Sequence, residues 1–190
     1  MDDALIQMLL FFLLAAVTVN LVLTLRLAAI VREAPEPASP TSTLELDVVI
    51  PDFRGTMLAD RRTLSAEALA GRATVLVFVS SRCGDCRRKV PEIERLLPAM
   101  GKAGIVLLVV AMDSEARMRK FLGDTPLLEH VLVLGKEQRR RLNPLSATPF
   151  YVFVDDQRIA RASDYIGDEN WESFVGQMQE LAIEEEPAHG

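Results

Sequence analysis

Two cysteines separated by Gly84-Asp85, set between an apolar run and a helical pattern, constrain this 190-residue chain more than any other feature. Residues 75–79 are apolar or β-branched and stop at Ser80-Ser81. Cys83-Gly84-Asp85-Cys86 then opens a segment in which Val90, Ile93, Leu96 and Leu97 recur at helical spacing. The pattern predicts strand, turn and helix, with Cys83 at the helix N-terminus. There the unpaired backbone N–H groups and the positive end of the helix dipole favour a thiolate, the form that attacks disulfides. The chemistry implied is thiol–disulfide exchange, with Cys83 as nucleophile and Cys86, one turn along and more buried, as resolving thiol.

The chain has no other cysteine, so a four-cysteine zinc site cannot form within one copy and the reading requires no metal or cofactor. A purely structural bridge is the bland alternative, but closing so short a loop constrains the unfolded chain little. With 49 % apolar residues the chain can build one core without a staple. Net charge is −6, and no basic block alternates with aromatics, so no nucleic-acid partner is expected. The runs Arg87-Arg88-Lys89 and Arg139-Arg140-Arg141 read as solvated helix faces.

Residues 4–25 carry no charge, and residues 8–16 (MLLFFLLAA) are almost pure hydrocarbon, long enough together for a membrane-spanning helix. The start is Asp2-Asp3 rather than basic, and the apolar run exceeds that of a cleaved signal peptide, so residues 1–32 read as an uncleaved anchor. The flanking charges, acidic before the span and Arg26 and Arg32 after it, would by themselves leave the downstream domain in the cytoplasm. A tethered dithiol protein, however, acts where disulfides persist. The expectation is therefore a single-pass cell-membrane protein with a periplasmic or other extracytoplasmic domain. Residues 33–46 form a Pro-rich linker, residues 47–183 the globular domain, and residues 184–190 a disordered tail.

Strands are predicted at 44–50, 75–79, 105–112, 131–134 and 150–154, and helices at 86–100, 114–122 and 136–142. Residues 51–55 read as turn-bearing, and 63–69 as the start of a short helix capped by Thr63 or Ser65. The alternation argues for βαβ units around a central sheet covered on both faces. Asp155-Asp156-Gln157 predicts a hairpin into 158–162, and 169–183 a closing helix with Trp171, Phe174, Val175, Met178 and Leu181 facing the core. Met100, Met112 and Met118 read as core filler and Trp171 as a packing anchor, while Asp113, at the end of its strand, reads as the N-cap of the helix from Ser114 in preference to a place near the active face.

Strand, Cys-x-x-Cys at a helix start, a second βαβ unit and Ala147-Thr148-Pro149 before a hairpin together resemble the thioredoxin fold. The resemblance implies an α/β protein with a central mixed sheet flanked by helices, here preceded by one transmembrane helix. It places a cis-proline at Pro149 and makes Thr148 and Pro149 substrate-binding. Arg82, Gly84 and Asp85 read as modulating the pair: Arg82, with Arg87, Arg88 and Lys89, would favour a thiolate, and Asp85 would oppose it. Anchor, tether and the Pro-Asp-Phe segment at residues 51–53 narrow the likeness to the membrane-anchored TlpA/ResA-like proteins, among them the MauD-type accessory proteins of methylamine dehydrogenase maturation. That likeness implies a cysteine-containing client and a membrane electron-transfer partner that resets the dithiol. Val77 stands where thioredoxins carry a buried Asp, Lys89 where cytochrome-maturation members carry Glu, and Arg82 where a Trp is usual. The proton relay that those acids are thought to supply therefore has no counterpart at those positions.

Three rival readings remain. A peroxiredoxin-like peroxidase would use the hydroxyl of Ser80, three residues before Cys83. A Sco-type copper chaperone would add His130 or His189 to the two cysteines. A non-catalytic binding protein would keep the fold alone.

Overall fold

Residues 74–79, Thr-Val-Leu-Val-Phe-Val, are all buried, since the strand they form runs through the middle of the sheet with packed layers above and below. The computed structural model describes residues 7–8, 11–14, 16–22 and 44–183. Its strands are β1 (Arg54–Met57), β2 (Thr63–Ser65), β3 (Thr74–Val79), β4 (Val106–Ala111), β5 (Val131–Val133), β6 (Phe150–Val154) and β7 (Ala160–Tyr165). They form one seven-stranded sheet in the order β2-β1-β5-β4-β3-β6-β7. The central trio β3, β4 and β5 is parallel, and both flanks are antiparallel. Helices α1 (Gly84–Lys102), α2 (Glu115–Leu122), α3 (Lys136–Leu142) and α4 (Glu169–Ile183) complete the thioredoxin-like α/β architecture.

Alternation along β3 assigns the two layers. Val75, Val77 and Val79 pack with Cys86, Ile93 and Leu96 of α1 and with Trp171 and Val175 of α4. Leu76 and Phe78 point the other way and pack with Leu142 of α3, Phe53 and Leu69. The register Val79↔Ala111 brings the C-terminal ends of β3 and β4 to the same edge of the sheet. That edge carries the cysteines. At the flank, a Cβ on Gly55 would lie 2.5 Å from Leu134 Cδ2 and 2.8 Å from Val133 O, so β1 approaches β5 this closely only with glycine there.

Several expectations are corrected. Residues 44–50 form no regular strand: Asp47 turns the chain at φ 59, and the segment meets the hairpin through the isolated bridge Val49↔Ile159 and the backbone bonds Asp47 N to Ala160 O, Ile50 N to Arg158 O and Ala160 N to Val48 O. Leu46, Val48 and Val49 stay exposed and only Leu44 and Ile50 at the two ends of the segment are buried, so burial does not follow the alternation of a strand. The turn expected at 51–55 gives way to β1 from Arg54. Residues 63–69 split into β2, paired to β1, and a 3-10 turn at Ala66–Leu69, whose N-cap residue Ser65 makes no capping hydrogen bond. The final hairpin is antiparallel as expected, but β7 starts at Ala160, after Arg158 at φ 64.

The chain divides into two units, Met1–Thr41 and Ser42–Gly190. In the first, residues 7–8, 11–14 and 16–22 are helical and exposed. Among the described residues no helix is long and apolar enough to cross a membrane. The span expected at 4–25 includes residues outside the described ones, as do the linker up to residue 43 and the tail at 184–190.

Candidate active site

Where β3 ends, the chain turns through Ser80, Ser81 and Arg82 and delivers Cys83 as the N-cap residue of α1, with φ −90 and ψ 117. The Cys83 sulfur does what an N-cap oxygen does elsewhere: it accepts the backbone N–H of Cys86 at 3.0 Å. Its thiol also reaches the Thr148 carbonyl at 3.4 Å. Cys83 is half-buried and Cys86 fully buried, and the two are not bridged. Burial, reinforced by the hydrogen bond to Cys83, pushes the Cys86 thiol up to about 12, against opposing hydrogen bonds from the Ser80 backbone and the Thr148 side chain.

The Thr148–Pro149 peptide is cis. The loop before it is held by Asn143, which is fully buried: its Nδ2 donates to the Ala147 carbonyl at 2.8 Å and its Oδ1 accepts the Ala147 N–H at 3.1 Å. Beside the thiol lies a groove of about 300 Å³ lined by Asp85, Arg88, Lys89, Thr148, Pro149, Tyr165 and Ile166. Cys83, Cys86, Thr148 and Pro149 thus lie together at this edge.

The modulating residues behave less uniformly. A Cβ on Gly84 would meet nothing within 4 Å, so this position leaves the approach to Cys83 open without being sterically required. Each basic residue around the pair already has a partner. Arg82 Nε lies 3.2 Å from Asp113 Oδ1, and the Arg87 guanidinium stands 5.5 Å over the Phe121 ring. Arg88 pairs with Asp85, and Lys89 donates to Glu92 at 2.7 Å. What remains in direct contact with the Cys83 sulfur is the Cys86 N–H at the helix N-terminus and the Thr148 carbonyl.

Asp113 departs from its expected role. Ser114 is the N-cap residue of α2 and makes no side-chain capping bond, while the Asp113 carboxylate turns back to the β3 loop. Its Oδ2 accepts from Ser80 Oγ at 2.8 Å, Ser81 N at 2.7 Å and Ser81 Oγ at 2.9 Å. Burial works to raise this carboxyl, but the serine hydrogen bonds and the Arg82 charge outweigh it and hold it below the usual carboxylate range. Sequence reasoning also missed Asn143. The signal for Asp113 was available, since parallel neighbours end at one edge; Asn143 gave none.

For the rival readings, the Ser80 hydroxyl donates to Asp113 and accepts from Arg82 N at 3.2 Å, so it is engaged away from the sulfur. His130 Nδ1 lies 3.2 Å from the carbonyl of Leu107, which pairs with Val75 near the start of β3, at the opposite end of the strands from the cysteines. Among the described residues no group of three or more His, Cys, Asp or Glu is arranged to hold a metal ion. His189 lies outside the described residues.

Residues 47–173 match the profile of the AhpC/TSA family. The chain belongs to the AhpC/TSA family. No curated protein matches it in sequence. Among solved structures it is similar to a putative thiol:disulfide interchange protein DsbE from Chlorobium tepidum, with 20 % identity over 74 % of this chain and 99 % of that one and a TM-score of 0.61. The thioredoxin domain of a thiol-disulfide oxidoreductase from Bacteroides vulgatus gives 18 % identity over 72 % and 99 %, with a TM-score of 0.60. Yeast Sco1 with copper bound gives 15 % identity over 76 % and 98 %, with a TM-score of 0.53. At these identities the likeness is one of fold. This AhpC/TSA-family chain therefore shares its thioredoxin-like frame with both interchange proteins and a copper-bound protein, and its own side chains must decide between them.

Proposed function

We propose that the chain is a membrane-tethered thiol–disulfide oxidoreductase that exchanges disulfides with a cysteine-containing client protein. The observation that carries this reading is the asymmetry of the pair: Cys83 is partly open and receives the Cys86 N–H at 3.0 Å, while Cys86 is sealed beneath it. The Cys83 thiolate attacks a client disulfide, whose S–S bond breaks as the Cys83–client bond forms. The first client sulfur leaves as a thiolate and takes up a proton. Cys86 then gives up its proton and attacks the Cys83 sulfur, releasing the second client thiolate. Two electrons have passed to the client, which leaves with two thiols, and the Cys83–Cys86 disulfide remains. Run backwards, the same steps deliver a disulfide; the direction is set by the potentials of client and resetting partner.

The tether rests on the uncharged stretch at residues 4–25 and the prolines at 35, 37 and 40. An extracytoplasmic domain is supported by the persistence of disulfides outside the cytoplasm, and the resemblance supports a membrane protein that exchanges two electrons with the dithiol to reset it. The narrower reading, maturation of methylamine dehydrogenase, rests on the resemblance to MauD-type proteins. Cys86→Ala tests the mechanism: Cys83 attacks but the mixed disulfide cannot resolve. Expressed in its native cell, this variant should retain a client through a bond that reductant cleaves. A Cys83 that reacts with a small alkylating reagent yet captures no protein and exchanges with no disulfide would overturn the reading.

A further inference from the structure

Ser80 links the end of β3 to Cys83. Its carbonyl accepts the Cys83 N–H at 3.1 Å, and its hydroxyl accepts the Arg82 N–H at 3.2 Å. The same hydroxyl is tied to a single carboxylate oxygen, Oδ2 of Asp113, which also takes both the N–H and the hydroxyl of Ser81. The Asp113 side chain is 1 % exposed. Its other oxygen faces Arg82 Nε at 3.2 Å and an Arg117 guanidinium nitrogen at 4.0 Å. Burying a carboxylate is costly unless hydrogen bonds and opposite charge offset it; here three donors on Oδ2 and the Arg82 charge do so, while the buried Oδ1 accepts no hydrogen bond. A helix cap on α2 would need none of this, and Asp113 supplies no such cap.

We propose that Asp113 is a positioning residue of the dithiol, locking loop 80–82 so that Cys83 is held at the N-terminus of α1. The inference takes Cys83 as the reacting atom, as the proposed function does. Without the carboxylate, Ser80 and Ser81 would lose their common acceptor and the loop its fixed path, and the Cys83 sulfur would no longer sit on the Cys86 N–H. Geometry, rather than net charge, is the operative property. An asparagine Oδ1 still accepts the Ser81 N–H, and serine hydroxyls rotate to suit its amide.

The test is the rate at which iodoacetamide alkylates Cys83 in the reduced full-length chain at pH 7, with thermal unfolding measured in parallel. Asp113→Ala should slow alkylation about tenfold, the equivalent of one lost charge-assisted hydrogen bond, while Asp113→Asn should stay within about twofold of wild type. Equal rates in wild type and Asp113→Ala would overturn the proposal, whatever the change in unfolding temperature. So would equal losses in the Ala and Asn variants, which would assign the effect to charge. Should Asp113→Ala not fold, Ser81→Ala takes its place: slower alkylation is expected, and an unchanged rate counts against the proposal. Alkylation needs no client and no disulfide, so these results stand apart from any failure of the exchange reading.

Discussion

The backbone N–H of Cys86 points at the sulfur of Cys83 across 3.0 Å, so the resolving residue supports the nucleophile through its main chain while its own thiol is sealed in the core. The two halves of the reaction are therefore poised differently. Attack by Cys83 has a helix N-terminus behind it. Resolution requires a proton to leave a thiol that burial holds at about 12, and the nearby core offers Val77 where a buried acid would have accepted it.

The first prediction concerns pH. Because Cys86 is raised, it stays a thiol through neutral pH, and resolution of a mixed disulfide on Cys83 should accelerate about tenfold per pH unit, still climbing past about 8.5, where an ordinary thiol would level off. Linkage gives a companion effect of definite sign. The stability that Cys86 contributes as a thiol is complete below the unfolded-state value of about 8.5 and is lost as pH rises through the folded value of about 12. Stopped-flow resolution rates and urea midpoints of the reduced chain against pH check both. A rate plateau near neutrality would show that a second group accepts the proton.

Asn143 makes the second prediction. Its amide satisfies both backbone groups of Ala147 immediately before Thr148–Pro149. Asn143→Ala leaves a buried donor and a buried acceptor unpaired, which should cost about 2–4 kcal/mol in urea unfolding. Asn143→Asp still accepts but no longer donates, and should also be destabilised. Because the loop sets where the Thr148 carbonyl meets Cys83, disulfide exchange should slow in the variant beyond what its unfolded fraction explains. Loss of stability with exchange unchanged per folded molecule would confine Asn143 to the scaffold.

What the sequence disclosed divides along physical lines. Residues 75–79 were readable as a central strand because both faces are buried, which writes a continuous apolar run. Cys83 and Cys86 drew attention because two cysteines open a helical pattern directly after an apolar run, whereas Thr148-Pro149 came only from the resemblance to the thioredoxin fold. Residues 44–50 misled because β-branched residues spell a strand, whereas Asp47 turns the chain at φ 59 and reduces the pairing to one isolated bridge. Asp113 was misassigned because local grammar offers an N-cap, whereas its actual partners lie 32 and 33 residues earlier and meet it only through the parallel register of β3 and β4. Asn143 was silent because its partner is a backbone inside an irregular loop.

Asp113 also makes an acid-limb prediction. Its carboxyl is held below the usual range, so the stability it contributes is complete above the unfolded-state value of about 3.9 and is lost as pH falls through the lower folded value. The difference in urea midpoint between wild type and Asp113→Asn should stay constant from pH 7 to about 5 and close below about 3.9. Parallel curves down to pH 2 would mean that the carboxylate contributes no charge-dependent stability.

The last prediction separates packing from hydrogen bonding at the helix that closes the fold. Trp171 of α4 is fully buried, with its ring 5.4 Å from Tyr151, 6.1 Å from Phe153 and 5.8 Å from Phe174 between centroids. Its Nε1–H donates to Glu92 Oε1 at 2.8 Å, and the other Glu92 oxygen accepts from Lys89, so α4 is tied to the same helix that carries the cysteines. Trp171→Phe keeps most of the aromatic contact and removes the donor. Because Glu92 stays paired with Lys89, the variant should lose only about 1–2 kcal/mol. Trp171→Ala removes the ring as well and should lose about 3–5 kcal/mol. Adding Glu92→Gln to Trp171→Phe completes the argument: if the indole–carboxylate contact is the coupling between α1 and α4, Glu92→Gln should be less costly in the Phe background than in wild type. Strict additivity in urea unfolding would instead place the whole contribution of Trp171 in its packing.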